Sequence, residues 1–116
     1  MLYICYPKCT TCKKAKDFLD ENKIEYTERN IKEENPTYDE LNAWYLKSGL
    51  PLKKFFNTSG MLYRSMGLAS KLNDMSEEEQ LKLLASDGML VKRPIVVTDD
   101  TVLVGFKAEK WEKLKK

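Results

Sequence analysis

Residues 2–12 read LYICYPKCTTC, and this stretch decides how the chain folds. Its first part, Leu2–Tyr6, is almost entirely apolar, which is typical of a strand buried on both faces of a sheet. The pair Pro7-Lys8 predicts a turn, and the segment that follows has helical spacing. Cys9 and Cys12 therefore lie where a strand and a tight turn lead into a helix.

The start of a helix favours a cysteine thiolate. The first backbone N–H groups of a helix lack partners within the helix and carry partial positive charge. Cys9 is close to the predicted N-cap, with Lys8, Lys13 and Lys14 nearby in the sequence, so its thiol should ionise more readily than a free cysteine. We expect Cys9 to be the more exposed sulfur and Cys12 to lie on the buried face of the helix.

The spacing of the two cysteines also suits a disulfide. Residues three apart on a helix are about 5–6 Å apart at Cβ, and the non-helical backbone of an N-cap residue can close this distance. A C-x-x-C motif between a strand and a helix in a small α/β chain is typical of thioredoxin-like redox proteins. We therefore predict that Cys9 and Cys12 alternate between dithiol and disulfide.

Two structural interpretations compete with this one. Cys9 and Cys12 could form half of a zinc site, but zinc usually needs four Cys or His ligands, and the chain has one further cysteine and no histidine. We therefore predict no metal. Both cysteines could instead be buried structural residues, and that alternative stays open. Cys5, inside the predicted strand, is interpreted as a small core residue.

Composition restricts the class of protein. The 116 residues predict one domain, and the balanced net charge of +2 argues against a general nucleic-acid binder. We recognise no signal peptide and no apolar run of membrane-spanning length in the sequence. The presence of three cysteines without a signal predicts the reducing cytoplasm, where a disulfide is transient.

The two ends of the chain predict a sheet. A first helix is predicted from about residue 10 to 22, and apolar–polar alternation over residues 24–31 predicts a second strand, parallel to the first. Residues 95–98 and 101–104 predict a β-hairpin, and residues 108–115 a final helix. The predicted order is β-α-β at the N-terminus and β-β-α at the C-terminus.

The middle of the chain is predicted to be helical. Capping boxes at residues 37–40 and 76–79 begin two helices, and residues 63–72 are interpreted as a further helical segment. Gly49 ends the first of these helices. Residues 37–88 therefore form an all-helical insertion in an α/β fold with a four-stranded mixed sheet.

Four motifs make the chain resemble the ArsC/Spx family, which contains arsenate reductases and the redox-sensing regulator Spx. These motifs are YPKCTTC at residues 6–12, FNTSG at 56–60 with Tyr63-Arg64, KRPIVV at 92–97 and GFK at 105–107. The resemblance extends over essentially the whole chain. It implies a single domain of residues 1–116, with a thioredoxin-like core of about 1–36 and 89–116 and a helical insert of about 37–88.

The resemblance also implies roles for individual residues. Cys9 matches the nucleophilic cysteine of the family, and Arg93 matches an arginine that approaches this sulfur or its oxyanion adduct. Pro94 matches a proline that the fold holds in the cis form. From the sequence alone, a surface salt bridge is an equally good interpretation of Arg93. The residues predicted to support the substrate site are Pro94, Lys8, Thr10, Thr11, Asn57 and Arg64.

The chain departs from the arsenate reductases of this family at several positions. Those reductases typically have a serine where this chain has Cys12, so an internal resolving thiol is present here. They also gather three arginines around the oxyanion, of which Arg93 matches one. Asn57 occupies the first of these positions, Phe106 or Lys107 the last, and Arg64 matches none.

Two classes of function follow from the resemblance. The first is a thiol-disulfide oxidoreductase in which Cys9 attacks a disulfide and Cys12 resolves the mixed disulfide; no cofactor is bound, and glutathione, thioredoxin or glutaredoxin is the reductant. The second is an Spx-like redox regulator that binds RNA polymerase, without direct nucleic-acid or membrane contact. A further alternative is a glutaredoxin-dependent arsenate reductase, with an oxyanion as substrate.

Overall fold

The computed structural model describes residues 1–115 and contains a four-stranded sheet with the order β2-β1-β3-β4. The strands are β1 (Leu2–Cys5), β2 (Thr27–Asn30), β3 (Ile95–Val97) and β4 (Val102–Val104). β1 runs parallel to β2 and antiparallel to β3, and β3 pairs antiparallel with β4. The predicted mixed sheet and C-terminal hairpin are confirmed. Lys116, which the predicted domain includes, lies outside the described residues.

Alternate residues of β1 belong to two hydrophobic clusters. Tyr3 and Cys5 pack in one cluster with the buried residues of helix α1 (Thr10–Glu21) and with Trp111. Ile4 packs in the other cluster with side chains of the segment between β2 and β3. Both faces of β1 are therefore covered, which explains why its sequence is apolar throughout. This burial fixes β1, and with it the turn that carries Cys9.

The segment between β2 and β3 is helical, as predicted. Its helices are α2 (Tyr38–Ser48), α3 (Met61–Ser65), α4 (Leu68–Lys71) and α5 (Glu77–Ser86), with 3₁₀ turns at Leu52–Phe55, Leu72–Asp74 and Gly88–Leu90. Both capping boxes are present, with Thr37 and Ser76 as the N-caps. An isolated β-bridge, Phe56 to Val91, joins the loop before α3 to the chain leading into β3.

The second strand is shorter than predicted. It begins at Thr27, which pairs with Leu2, the first residue of β1. The residues before Thr27 instead form the exit from α1: Lys23 has a φ of 55° and the N–H of Ile24 donates to the carbonyl of Leu19 at 2.9 Å. The alternation of apolar and polar residues that begins at residue 24 therefore belongs partly to a half-buried turn and only partly to a strand.

Two predicted helices are also interrupted. The segment 63–72 is divided at Gly67, whose φ of 64° is unfavourable for other residues and ends the helical path. The last helix, α6, spans only Ala108–Trp111 and tightens into a 3₁₀ turn at Glu112–Leu114. Within residues 1–115, no helix is both long enough and apolar enough to cross a membrane.

A partly buried ion pair joins β2 to α2. The Arg29 guanidinium donates to both carboxylate oxygens of Glu40, at 2.7 and 2.9 Å, and also to the backbone carbonyls of Glu34 and Asn35. Hydrogen bonding from Arg29 lowers the pKa of Glu40 from 4.5 to about 2, against the opposing effect of burial, and the N–H of Thr37 contributes to the lowering. The same carboxylate therefore serves both the capping box and the ion pair.

We predict that the charge of Glu40 contributes to stability. Because its pKa is lowered on folding, this contribution is present above pH 4.5 and is lost as the pH falls towards about 2. Glu40→Gln, which retains a capping-box side chain, should lower the free energy of unfolding near neutral pH by about 1–2 kcal/mol after allowance for solvent screening. Urea denaturation as a function of pH measures this, and the difference from wild type should shrink in acid.

Glu78→Gln is the matched control, because Glu78 forms an exposed ion pair with Lys82. Its effect should stay within about 0.5 kcal/mol. Equal effects of the two substitutions, or a Glu40 effect independent of pH, would contradict the role assigned to the Arg29–Glu40 pair.

Candidate active site

Cys9 is the N-cap of α1, as predicted. Its backbone is extended, with φ −91° and ψ 122°, its N–H donates to the carbonyl of Tyr6 at 3.0 Å, and its carbonyl accepts from the N–H of Lys13 at 3.1 Å. No side-chain oxygen caps the helix. The N–H groups of the first turn are therefore left to the sulfur of Cys9, which takes the place that a serine or aspartate oxygen commonly fills.

The surroundings of Cys9 lower the pKa of its thiol. Partial burial opposes ionisation, but it is outweighed by hydrogen bonds from the backbone N–H and thiol of Cys12, from the N–H of Thr11 and from the guanidinium of Arg93. Three of these four donors belong to the first turn of α1. The first turn of α1 and Arg93 therefore both favour the thiolate form of Cys9.

Cys12 has the opposite character. Its side chain is 3% exposed, and burial raises the pKa of its thiol to about 12, although the N–H of Tyr6 donates to its sulfur at 3.3 Å. A negative charge on Cys9 raises the pKa of Cys12 further. Cys12 therefore stays protonated more readily than Cys9, and its thiol can donate to the sulfur of Cys9.

Tyr3 fixes the first turn of α1 against β1. Its buried hydroxyl donates to the carbonyl of Cys12 at 2.6 Å. Cys5 lies in the same cluster, and burial raises the pKa of its thiol, as the prediction of a core residue implies. The position of Cys12, and hence of the N–H groups around Cys9, is therefore set by side chains of β1.

Arg93 and Pro94 approach the cysteines from the chain leading into β3. The Arg93–Pro94 peptide bond is cis, as the family resemblance implied. Arg93 is half-buried, its Cζ lies 5.2 Å from the centre of the Tyr6 ring, and its Nη1 donates to the carbonyl of Met89 at 3.5 Å. Among the residues that the structure describes, its buried Nε has no hydrogen-bond partner.

A cleft of about 790 Å³ opens at Cys9. Of the predicted site residues, it is lined by Cys9, Thr11, Asn57 and Arg93. The other lining residues come from the loop and helix after Asn57 and from the chain before β3; they are Ser59, Gly60, Met61, Leu62, Ser65, Asp87, Met89 and Lys92. The cleft therefore combines one partly exposed sulfur with two cations, one carboxylate and several apolar side chains.

The remaining predicted site residues lie outside this lining. Cys12 and Pro94 are buried, with Cys12 in the same hydrophobic cluster as Cys9. Lys8, Thr10 and Arg64 are exposed and do not line the cleft. Among residues 1–115, no group of three or more His, Cys, Asp or Glu side chains is arranged to hold a metal ion.

Few residues of the far wall of the cleft could be recognised from sequence patterns. Its Asn57–Gly60 segment forms a turn in which the N–H of Gly60 donates to the carbonyl of Asn57 at 3.0 Å. A Cβ at Gly60 would lie 2.7 Å from Nδ2 of Asn57, so glycine allows this close turn. Lys92 belongs to the KRPIVV motif, whereas no sequence pattern marks Met61 or Met89 as residues of the cleft.

Comparison with known proteins gives consistent matches. The model of the ArsC family matches residues 4–114. The uncharacterized protein YusI of Bacillus subtilis is 55% identical over 112 residues, which are 97% of this chain and 95% of YusI. The regulatory protein MgsR of Bacillus subtilis is 28% identical over 116 residues, which are 100% of this chain and 90% of MgsR.

A solved structure is also similar over nearly its whole length. It is an ArsC family related protein from Bacteroides fragilis, with a TM-score of 0.97 and 62% sequence identity, and the match covers 98% of this chain and 96% of that one. Similarity at this level extends to the strand, turn and helix that carry the two cysteines.

We predict that Arg93 tunes the ionisation of Cys9. In a Cys12→Ser background, Arg93→Ala should move the pH profile of Cys9 alkylation to higher pH, because one donor to the thiolate is removed. Arg93→Lys should move it less, since lysine keeps the charge but not the planar guanidinium. Alkylation of Cys9 with iodoacetamide, followed by mass spectrometry over a pH series, measures the profile.

Lys92→Ala is the matched control. Lys92 also lines the cleft and carries the same charge, but it is not among the main groups that lower the pKa of Cys9. Its profile should follow that of the parent. Superimposable profiles for the parent and Arg93→Ala would show that the guanidinium does not act on Cys9.

Proposed function

Because the chain belongs to the ArsC family and has its thioredoxin-like fold, we propose that it is a thiol-disulfide oxidoreductase in which Cys9 is the nucleophile and Cys12 the resolving thiol. The observation that carries the proposal is the contrast between the two sulfurs. Cys9 lines an open cleft and has a lowered pKa, whereas Cys12 is buried and has a raised one. These properties suit Cys9 to attack as a thiolate, while burial keeps Cys12 from reacting with the substrate first.

In the first step, the Cys9 thiolate attacks one sulfur of a substrate disulfide. A bond forms between the sulfur of Cys9 and that substrate sulfur, the substrate S–S bond breaks, and the second substrate sulfur leaves as a thiolate. The cleft gives a substrate access to Cys9, while burial keeps Cys12 from competing for it. Arg93, at the same cleft, stabilises the thiolate that attacks.

In the second step, Cys12 attacks the sulfur of Cys9 in the mixed disulfide. Once Cys9 is bonded to the substrate, the negative charge that helped to raise the pKa of Cys12 is gone. The N–H of Tyr6 can then stabilise the Cys12 thiolate, and the departing substrate thiolate takes up the proton. The products are the Cys9–Cys12 disulfide and a fully reduced substrate, so the disulfide has moved from the substrate to the protein.

The protein disulfide must be reduced before the next cycle. A dithiol of the thioredoxin or glutaredoxin type, or glutathione, supplies the two electrons by the reverse exchange. The reaction requires no bound cofactor, and we expect it to take place in the reducing cytoplasm.

We predict that Cys12→Ser traps the first intermediate. With a synthetic peptide that contains a disulfide, this variant should accumulate a mixed disulfide at Cys9, because the resolving thiol is absent. Wild type should instead release the reduced peptide and contain a Cys9–Cys12 bridge. Intact mass and peptide mapping without reduction distinguish the two products.

Cys5→Ser is the matched control, since Cys5 is buried in β1 and is assigned no redox step. It should behave as wild type, provided that it folds, which thermal denaturation followed by circular dichroism checks. An adduct on Cys5 or Cys12, a Cys5–Cys9 bridge, or unreactive thiols in the folded protein would refute the proposed roles.

A redox regulator is the second candidate, and the similarity to MgsR over the whole chain favours it. In this case the Cys9–Cys12 disulfide would change a surface that binds RNA polymerase instead of completing a catalytic cycle. Capture of purified RNA polymerase by the reduced and the oxidised protein separates the two candidates from each other. Redox-dependent capture without multiple turnover of a disulfide peptide would support the regulator, and turnover without capture the enzyme.

Reduction of arsenate is less well supported by the cleft. Asn57 lines it at a position where the family resemblance leads one to expect an arginine. At the other expected position, Phe106 packs against Phe18 and Trp111, and Lys107 is exposed and outside the lining. Arg93 is thus the one arginine among the described residues that line the cleft. A charged oxyanion would therefore have fewer strong hydrogen bonds than an arginine cluster offers.

A further inference from the structure

The guanidinium of Arg93 is weakly held by hydrogen bonds. Its Nε is buried and has no hydrogen-bond partner within the described part of the chain, and its Nη1 reaches the carbonyl of Met89 only at 3.5 Å. No carboxylate of residues 1–115 forms an ion pair with it. By comparison, Arg29 is fixed by four hydrogen bonds. Apart from its interaction with Cys9, the guanidinium therefore depends on a contact other than a strong hydrogen bond for its orientation.

Tyr6 makes that contact. The centre of its ring lies 5.2 Å from Cζ of Arg93, within the range of a cation–π interaction. Its backbone is fixed on both sides, because its carbonyl accepts from the N–H of Cys9 at 3.0 Å and its N–H donates to the sulfur of Cys12 at 3.3 Å. The ring is therefore attached to the same turn that positions the cysteines.

We propose that Tyr6 is a positioning residue whose ring holds the guanidinium of Arg93 beside the sulfur of Cys9. The ring acts through Arg93 and needs no contact with a substrate. A guanidinium suits this arrangement, since its flat face can lie on an aromatic ring while its edge donates hydrogen bonds. The proposal concerns the Cys9 thiolate alone, so it holds for an enzyme and for a regulator.

The contact with the Tyr6 ring also explains how the buried Nε of Arg93 is tolerated without a hydrogen-bond partner. An unpaired N–H of a cation is costly in an apolar environment, and contact with the negative face of a ring offsets part of this cost. Other charged or titratable groups near Cys9 are Cys5 and Cys12 and, in the lining of the same cleft, Asp87 and Lys92. Among the described residues, Tyr6 makes a cation–π contact with Arg93 and with none of these groups.

A double-mutant cycle tests the proposal. In the Cys12→Ser background, Tyr6→Leu should slow Cys9 alkylation near neutral pH by about threefold, through a shift of the pH profile to higher pH. Tyr6→Phe should keep the parent profile, because it keeps the ring. In an Arg93→Ala background, Tyr6→Leu should cause no further slowing, since the residue through which it acts is absent.

Additive effects of Tyr6→Leu and Arg93→Ala would overturn the proposal, and so would a Tyr6→Phe variant that behaves as Tyr6→Leu. A second measurement covers the case in which Tyr6→Leu does not fold. In wild type, the NMR signal of the Arg93 Hε proton, assigned by its absence from Arg93→Lys, should show an upfield ring-current shift. A signal at the position of a free arginine would contradict the contact. Neither result depends on turnover of a disulfide, so the proposal can fail separately from the proposed function.

Discussion

The interaction on which the rest of the site depends is the one between the sulfur of Cys9 and the first N–H groups of α1. Those N–H groups have no acceptor within the helix, and no side-chain oxygen caps them. They keep their direction because the first turn of α1 is fixed to β1, through the hydroxyl of Tyr3 and through the burial of Cys12. The core of the protein thus determines the charge state of a sulfur in the cleft.

The same arrangement gives two chemically identical side chains opposite properties. Cys9 is at the end of the helix, where donors converge and a cleft is open, and Cys12 is one turn further along, where the helix faces the core. The pKa of Cys9 is lowered although it is partly buried, and the pKa of Cys12 is raised although a backbone N–H donates to it. Hydrogen bonding decides the first case and burial the second. A negative charge on Cys9 raises the pKa of Cys12 further, so the two cysteines do not readily ionise together.

Much of this was predictable because the decisive signals are local. The buried strand, the C-x-x-C at a helix start, the capping boxes and the C-terminal hairpin each depend on neighbouring residues, and the structure contains all of them. Errors arose where tertiary context decides: β2 begins only where it can pair with Leu2, and Gly67 divides a segment that had helical spacing. The contribution of Arg93 rested on a family resemblance, since nothing local brings residue 93 beside residue 9. The contact between Tyr6 and Arg93, and the cleft wall formed by Met61 and Met89, depend on contacts between distant segments and had no local signal.

The central claim is that the helix start makes Cys9 the thiolate and leaves Cys12 protonated. NMR of the reduced wild-type protein labelled with ¹³C at cysteine Cβ, followed through a pH titration, measures both sulfurs in one sample without a reagent that must reach them. We expect the Cβ signal of Cys9 to titrate below the ordinary range of a free thiol and that of Cys12 to titrate well above this range. A common midpoint for the two signals, or ionisation of Cys12 before Cys9, would contradict it.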